Sequence, residues 1–183
     1  IKHAAPSVVD GVTPSLWSLS EEGVAGARRL AMALTKFKIR LLASSSEPKA
    51  HETASIVSVA LGCGVQVHPG LAEHDRRNIT RLDQPAEFQR RAKELFEHPN
   101  DLVYGQETAM EALNRFQAAV DEILGHHRGG DVAIVAHGTV ITLLVAARNQ
   151  IDPFEYWRSL DLPSIAVLEV DTMKLLDTVT RIG

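Results

Sequence analysis

Two stretches of the chain place a histidine where a strand would end. Val132 to Ala136 are all apolar and stop at His137 and Gly138, while Ile1 leads at once into Lys2 and His3. A third stretch, with Ile39, Leu41, Leu42 and Ala43, releases Ser44, Ser45 and Ser46, then Pro48 and Lys49. An imidazole at such a place can act as a nucleophile, a proton carrier or a metal ligand. Ligands of open α/β sheets bind outside the carboxyl ends of strands, so these polar and basic residues could converge on one crevice. Metal chemistry asks for compact ligand spacing, and none of the eight histidines stands in a His-Glu-x-x-His element. There is also no Gly-x-Gly-x-x-Gly after a strand and no Walker-type loop. No metal and no cofactor is expected.

Taken singly, these residues have plainer readings. A lone His137 is more often structural, and Lys2 and Lys49 are solvated lysines until placed beside a histidine. Ser44 to Ser46 could cap the helix opened by Pro48. His51 reads as an exposed helix residue, His126 and His127 as part of a solvated loop, and Trp17 as a packing residue. Arg76, Arg77 and Arg81 read as a solvated face that could reach an anionic substrate.

The elements that must position these residues follow from pattern. Ser18 with Glu21 fits a capping box, and Ser20 is the competing N-cap. Val24, Ala27, Leu30, Ala31 and Leu34 then share one helical face. Pro48 suits a first helical turn, and Ala50, Ala54, Val57 and Leu61 continue that helix until Gly62 closes it. Val65 and Val67 alternate with polar neighbours as in a short strand, and Pro69-Gly70 turns the chain. A polar stretch from about 73 to 105 reads as an insertion over one end of the sheet, with a modest helix through Phe88, Ala92, Leu95 and Phe96. Met110, Leu113, Phe116, Val120, Ile123 and Leu124 mark an amphipathic helix. Gly138 opens a helix through Leu143, Leu144 and Ala147, and Asp152-Pro153 starts a short one. Ile165 to Val170 and Leu175 to Val179 read as an antiparallel hairpin at a sheet edge. Strands alternating with helices predict a three-layer α/β/α fold with a mostly parallel central sheet. The abrupt opening at Ile1 suggests that residues of a first strand precede it.

The bulk numbers agree with one domain. A length of 183 residues suffices for a sizeable core. A net charge of −4 argues against a general nucleic-acid binder. One cysteine, Cys63, excludes an internal disulfide and suggests a reducing, cytoplasmic setting. No apolar run approaches the roughly 20 residues of a membrane span, so no membrane partner is expected. Phe154, Tyr156 and Trp157 could form an association patch, which makes a homodimer possible.

In order along the chain, Lys2-His3-Ala4, Ser45-Ser46-Glu47-Pro48-Lys49-Ala50-His51-Glu52-Thr53-Ala54 and Ala136-His137-Gly138 resemble the signature of the histidine phosphatase superfamily, the phosphoglycerate mutase-like proteins. That signature is an Arg-His-Gly, a Ser-Pro-x-x-Arg-Ala-x-x-Thr-Ala segment and a late His-Gly. "WSLSEEGVAGARRLA", "GLAEHD" and "GQETAMEALNRF" are similar to further family segments in the same order. The resemblance covers essentially the whole chain. It implies a phosphatase acting on a small phosphorylated substrate, with His3 as the nucleophile that forms a phosphohistidine. A backbone group or proton acceptor should fix the tautomer of that imidazole. Lys2, Lys49, His137 and Gly138 would surround the phosphoryl oxygens, because phosphoryl transfer asks mostly for positioning and charge stabilisation. Glu73 would be the general acid, a role that needs a pKa raised towards neutrality, with Glu107 as its competitor. The chain departs from the family in carrying lysine at positions 2 and 49. Lysine keeps the attraction and loses the two-pronged geometry of arginine. The alternative reading is therefore a catalytically impaired relative that binds phosphorylated ligands.

Overall fold

The computed structural model describes residues 1–79, 85–126 and 129–182; the positions of Arg81 and His127 lie outside them. The first helix, α1 (Glu21–Leu34), starts at Ser20, whose hydroxyl accepts from the Gly23 N–H at 3.0 Å. Ser20, rather than Ser18, is the cap. Strand β1 (Ile39–Ser44) leads to α2 (Pro48–Leu61), which Gly62 ends in the left-handed conformation at φ 66°. Glycine reaches that conformation without a Cβ penalty. Strand β2 (Val65–Val67) follows, then α3 (Pro85–Glu97) and α4 (Ala109–Gly125). Strand β3 (Asp131–Val135) runs into α5 (Gly138–Arg148), and α6 (Pro153–Ser159) is capped by the Asp152 carboxylate. Strands β4 (Ile165–Leu168) and β5 (Leu175–Val179) form the expected antiparallel hairpin.

A parallel sheet in the order β2-β1-β3 stands beside the β4–β5 pair. Residues 1–3 join the two. Lys2 N–H donates to the Ser164 carbonyl at 2.9 Å, His3 N–H to the Ala136 carbonyl at 3.0 Å, and Ala136 N–H to the Ile1 carbonyl at 2.8 Å. The pleat separates the side chains into two cores. Leu42, Ala133 and Val135 point to α1 and α2, where Leu30, Leu34, Ala50, Ala54 and Val57 are buried. Ala43 and Ala136 face the opposite layer, built from α4 and α5. The fold is a mixed α/β architecture with helices on both faces of a mostly parallel sheet.

Two expectations shift. The buried face of α4 is Ala109, Ala112, Phe116, Ala119, Val120 and Ile123, while Met110 is exposed. Small alanines let the helix approach the sheet closely, with Phe116, Val120 and Ile123 as the larger residues of that face. Phe154 and Trp157 are half-buried rather than fully exposed. They stack at 6.1 Å, Trp157 meets Phe88 edge-on at 5.4 Å, and both pack on the core. The polar stretch from 73 to 105 likewise contributes to the core through Ala92, Leu95 and Phe96. No helix among the described residues is long and apolar enough to cross a membrane.

Candidate active site

Three carboxyl ends meet at one edge of the sheet. β1 releases Ser45 to Lys49, β3 releases Ala136 and His137, and the segment paired between β3 and β4 releases His3. The two imidazoles lie edge to face with centroids 5.1 Å apart, His137 fully buried and His3 7% exposed. His3 Nδ1 is 2.7 Å from the Ala4 carbonyl. A carbonyl can only accept, so Nδ1 carries the proton and Nε2 keeps its lone pair. Thr53 fixes this turn by accepting from the Ala4 N–H at 3.1 Å while donating to the Lys49 carbonyl at 2.7 Å. Both rings are held neutral. Burial, then the nearby His137 and Lys49, pushes the His3 pKa well below its ordinary value, against the pull of the Ala4 carbonyl. Burial and then Lys49 push His137 down to about 3, with Glu73 opposing.

Lys49 is 5% exposed and its ammonium donates to the Pro14 carbonyl at 2.8 Å. Its other partner is Glu47, at 2.5 Å. The second oxygen of Glu47 accepts from the Glu73 N–H at 2.8 Å and lies 3.7 Å from His137 Nε2. The same His137 nitrogen is 2.9 Å from the Ser45 hydroxyl, which also accepts from the Glu47 N–H at 3.2 Å. Ser45 thus orients His137; the first turn of α2 has no side-chain cap. Lys2 turns elsewhere. Its ammonium donates to the Leu160 carbonyl at 2.6 Å, and its stem lies over Gly138, where an added Cβ would stand 3.2 Å from Lys2 Cε. Burial lowers the Lys2 pKa, opposed by Glu73 and Asp161. Gly138 therefore serves close packing beneath Lys2.

Glu73 sits at the start of α5, accepting from Thr139 N–H at 3.2 Å, Val140 N–H at 3.3 Å and His74 N–H at 2.9 Å. Burial would raise its pKa, but the neighbouring His137 and Arg76 with the His74 N–H favour the carboxylate more strongly, and the net shift is downwards. The expectation of a raised value fails because amide donors and a helix N-terminus both favour the carboxylate. Glu107 is committed to structure, with Arg115 at 2.6 Å and the Asp75 N–H at 2.8 Å. Arg115 also donates to the carbonyls of Gly70, Ala72 and Glu73, clamping the loop that carries Glu73. Arg77 is exposed and paired with Asp75, whereas Arg76 lies 4.7 Å over the Phe88 ring. Glu47, Lys49, Glu73, Arg76 and Arg115 line a cleft of about 580 Å³. A separate apolar cavity of about 280 Å³ lies between β3 and β4 and has none of this chemistry. Among the described residues no group of three or more His, Cys, Asp or Glu is arranged to hold a metal ion.

The sequence reading missed Glu47, Ser45, Thr53 and Arg115 as parts of this site. Glu47 had a visible signal, an acid two residues before Lys49 at the start of a helix. Arg115 had a weaker one, a basic residue eight positions after Glu107.

The molecule is an α/β protein whose polar crevice lies at the carboxyl ends of a parallel sheet. The chain belongs to the histidine phosphatase superfamily, branch 1, whose model matches residues 16–176. That span includes Lys49, Glu73 and His137 and leaves out His3. No curated protein sequence matches. Among solved structures the fold is similar to YhfR of Bacillus stearothermophilus, at 23% identity over 95% of this chain and 91% of that one, TM-score 0.73. It is similar to a mycobacterial glucosyl-3-phosphoglycerate phosphatase at 20% identity over 100% and 96%, TM-score 0.70. A putative alpha-ribazole-5'-P phosphatase from Escherichia coli matches at 16% identity over 100% and 92%, TM-score 0.70.

Proposed function

We propose that this protein is a metal-independent phosphatase that hydrolyses a small phosphate monoester through a phosphohistidine on His3. The observation that carries this reading is the tautomer of His3: a proton locked on Nδ1 by the Ala4 carbonyl and a free pair on Nε2, beside a second neutral imidazole. In the first step Nε2 attacks phosphorus, the P–N bond forms and the ester P–O bond breaks. The departing oxygen takes a proton, for which Glu73, its carboxylate held at the head of α5, is the proposed donor. A phosphate dianion beside Glu73 favours its protonated form, opposing the downward shift that its neighbours impose. In the second step Glu73, again a carboxylate, draws a proton from water, which attacks phosphorus and returns the electron pair to His3. Lys49 and His137 bind the equatorial oxygens. The mycobacterial phosphatase of similar fold has been solved in complex with VO3 and with inorganic phosphate, which supports a crevice suited to tetrahedral oxyanions.

The second reading, a relative that binds phosphorylated ligands without turnover, is favoured by Lys2, whose ammonium is spent on a backbone carbonyl. Release of phosphate from p-nitrophenyl phosphate, compared between the protein and its His3→Ala variant, separates the two. Turnover lost with His3 supports the phosphatase; equal rates in both proteins refute it.

A further inference from the structure

Two of the crevice's anion-receiving groups already hold carboxylates of the protein's own. The α5 amides of Thr139 and Val140 are taken by Glu73. The Lys49 ammonium is taken by Glu47, whose carboxylate also faces His137. Glu47 is 9% exposed and Lys49 is 5% exposed, so solvent screens this pair little. A ligand oxygen bonded to both Lys49 Nζ and the imidazole of His137 would occupy the volume of the Glu47 carboxylate. With both histidines neutral, Lys49 and Glu47 cancel, and the pair itself offers no surplus positive charge to a phosphate of about −1.5 to −2.

We propose that Glu47 is a specificity-determining residue, a resident carboxylate that a phosphoryl group must displace from Lys49 before it can reach His3 and His137. This rests on the phosphatase reading and deepens it. Small phosphates with nothing more to offer bind weakly, because they exchange one Lys49 ion pair for another and leave Glu47 to be rehoused. Esters whose organic part fills the cleft beside Pro14, Leu16 and Pro69 gain contacts that offset this exchange. Selection thus falls on the alcohol portion, at the cost of affinity for inorganic phosphate.

The test is calorimetric binding of tungstate and inorganic phosphate to the protein, to Glu47→Gln, and to the double variant Glu47→Gln with Lys49→Met. Glutamine keeps an acceptor for the Glu73 N–H and removes the charge, so a purely structural role for Glu47 predicts unchanged anion affinity. The expected result is binding about tenfold tighter or more in Glu47→Gln, with the gain lost in the double variant. Equal affinity in the protein and Glu47→Gln overturns the role of Glu47 and leaves the phosphatase reading standing. No binding by any of the three overturns both. If Glu47→Gln does not fold, a tungstate complex of the unaltered protein decides: Glu47 swung off Lys49 supports the proposal, and Glu47 still paired to Lys49 beside bound tungstate refutes it.

Discussion

Acid should unfold this protein through the imidazole that helps form its site. His137 is fully buried and its pKa is pushed down to about 3 from an ordinary 6.5, by burial first and then by Lys49. The unfolded chain therefore binds a proton that the folded chain refuses. Stability from this group is complete above about pH 6.5 and is lost as pH falls towards 3. At about pH 4.5 the loss is two pKa units, or about 3 kcal/mol. His3 shifts the same way and adds to it. Urea unfolding of the protein and of His137→Gln, at about pH 7.5 and pH 4.5, isolates the His137 share. Glutamine retains an amide for Ser45 and carries no proton. The variant should lose about 3 kcal/mol less between the two pH values than the unaltered protein. Equal losses would mean that His137 is charged or solvated in the folded state, and the account of a neutral imidazole pair would fail.

Thr53→Val leaves the buried Ala4 N–H without its acceptor; unfolding free energy should fall by about 1–3 kcal/mol, and phosphatase turnover should fall with it because the His3 tautomer loses its anchored carbonyl. Arg115→Met removes the clamp on Gly70, Ala72 and Glu73 and strands Glu107; a loss of about 3 kcal/mol is expected in chemical denaturation, with faster amide exchange at residues 73–75. Gly23→Ala places a Cβ 2.0 Å from the Ala5 carbonyl oxygen, against backbone that cannot yield without moving the His3 turn; the melting temperature should drop by the equivalent of about 3 kcal/mol.

Much of the fold could be read locally, because its boundaries are marked by residues with few alternatives. Pro48 at a first turn, Gly62 at a left-handed end and the Asp152 cap each state their own conformation. The meeting of His3 with His137 was legible too, since each stands at the end of a stretch read as a strand. The rest depended on side-chain direction, which no local pattern states. Lys2 and Lys49 read alike in sequence, yet one ammonium is drawn to the Leu160 carbonyl and the other to Glu47. Arg115 closes contacts with a loop over forty residues away, and Thr53 with one about fifty away. The pKa of Glu73 likewise follows from the amides at the head of α5, which only the tertiary fold supplies.

The seam at residues 1–3 sets the placement of His3. Lys2 pairs with Ala136 on one side and Ser164 on the other, so the height of the His3 ring above the sheet is inherited from two partners that are remote in sequence. A one-residue slip against either would turn the His3 ring to the opposite face. Integrity of the β4–β5 hairpin is thereby a condition for placing the His3 ring beside His137.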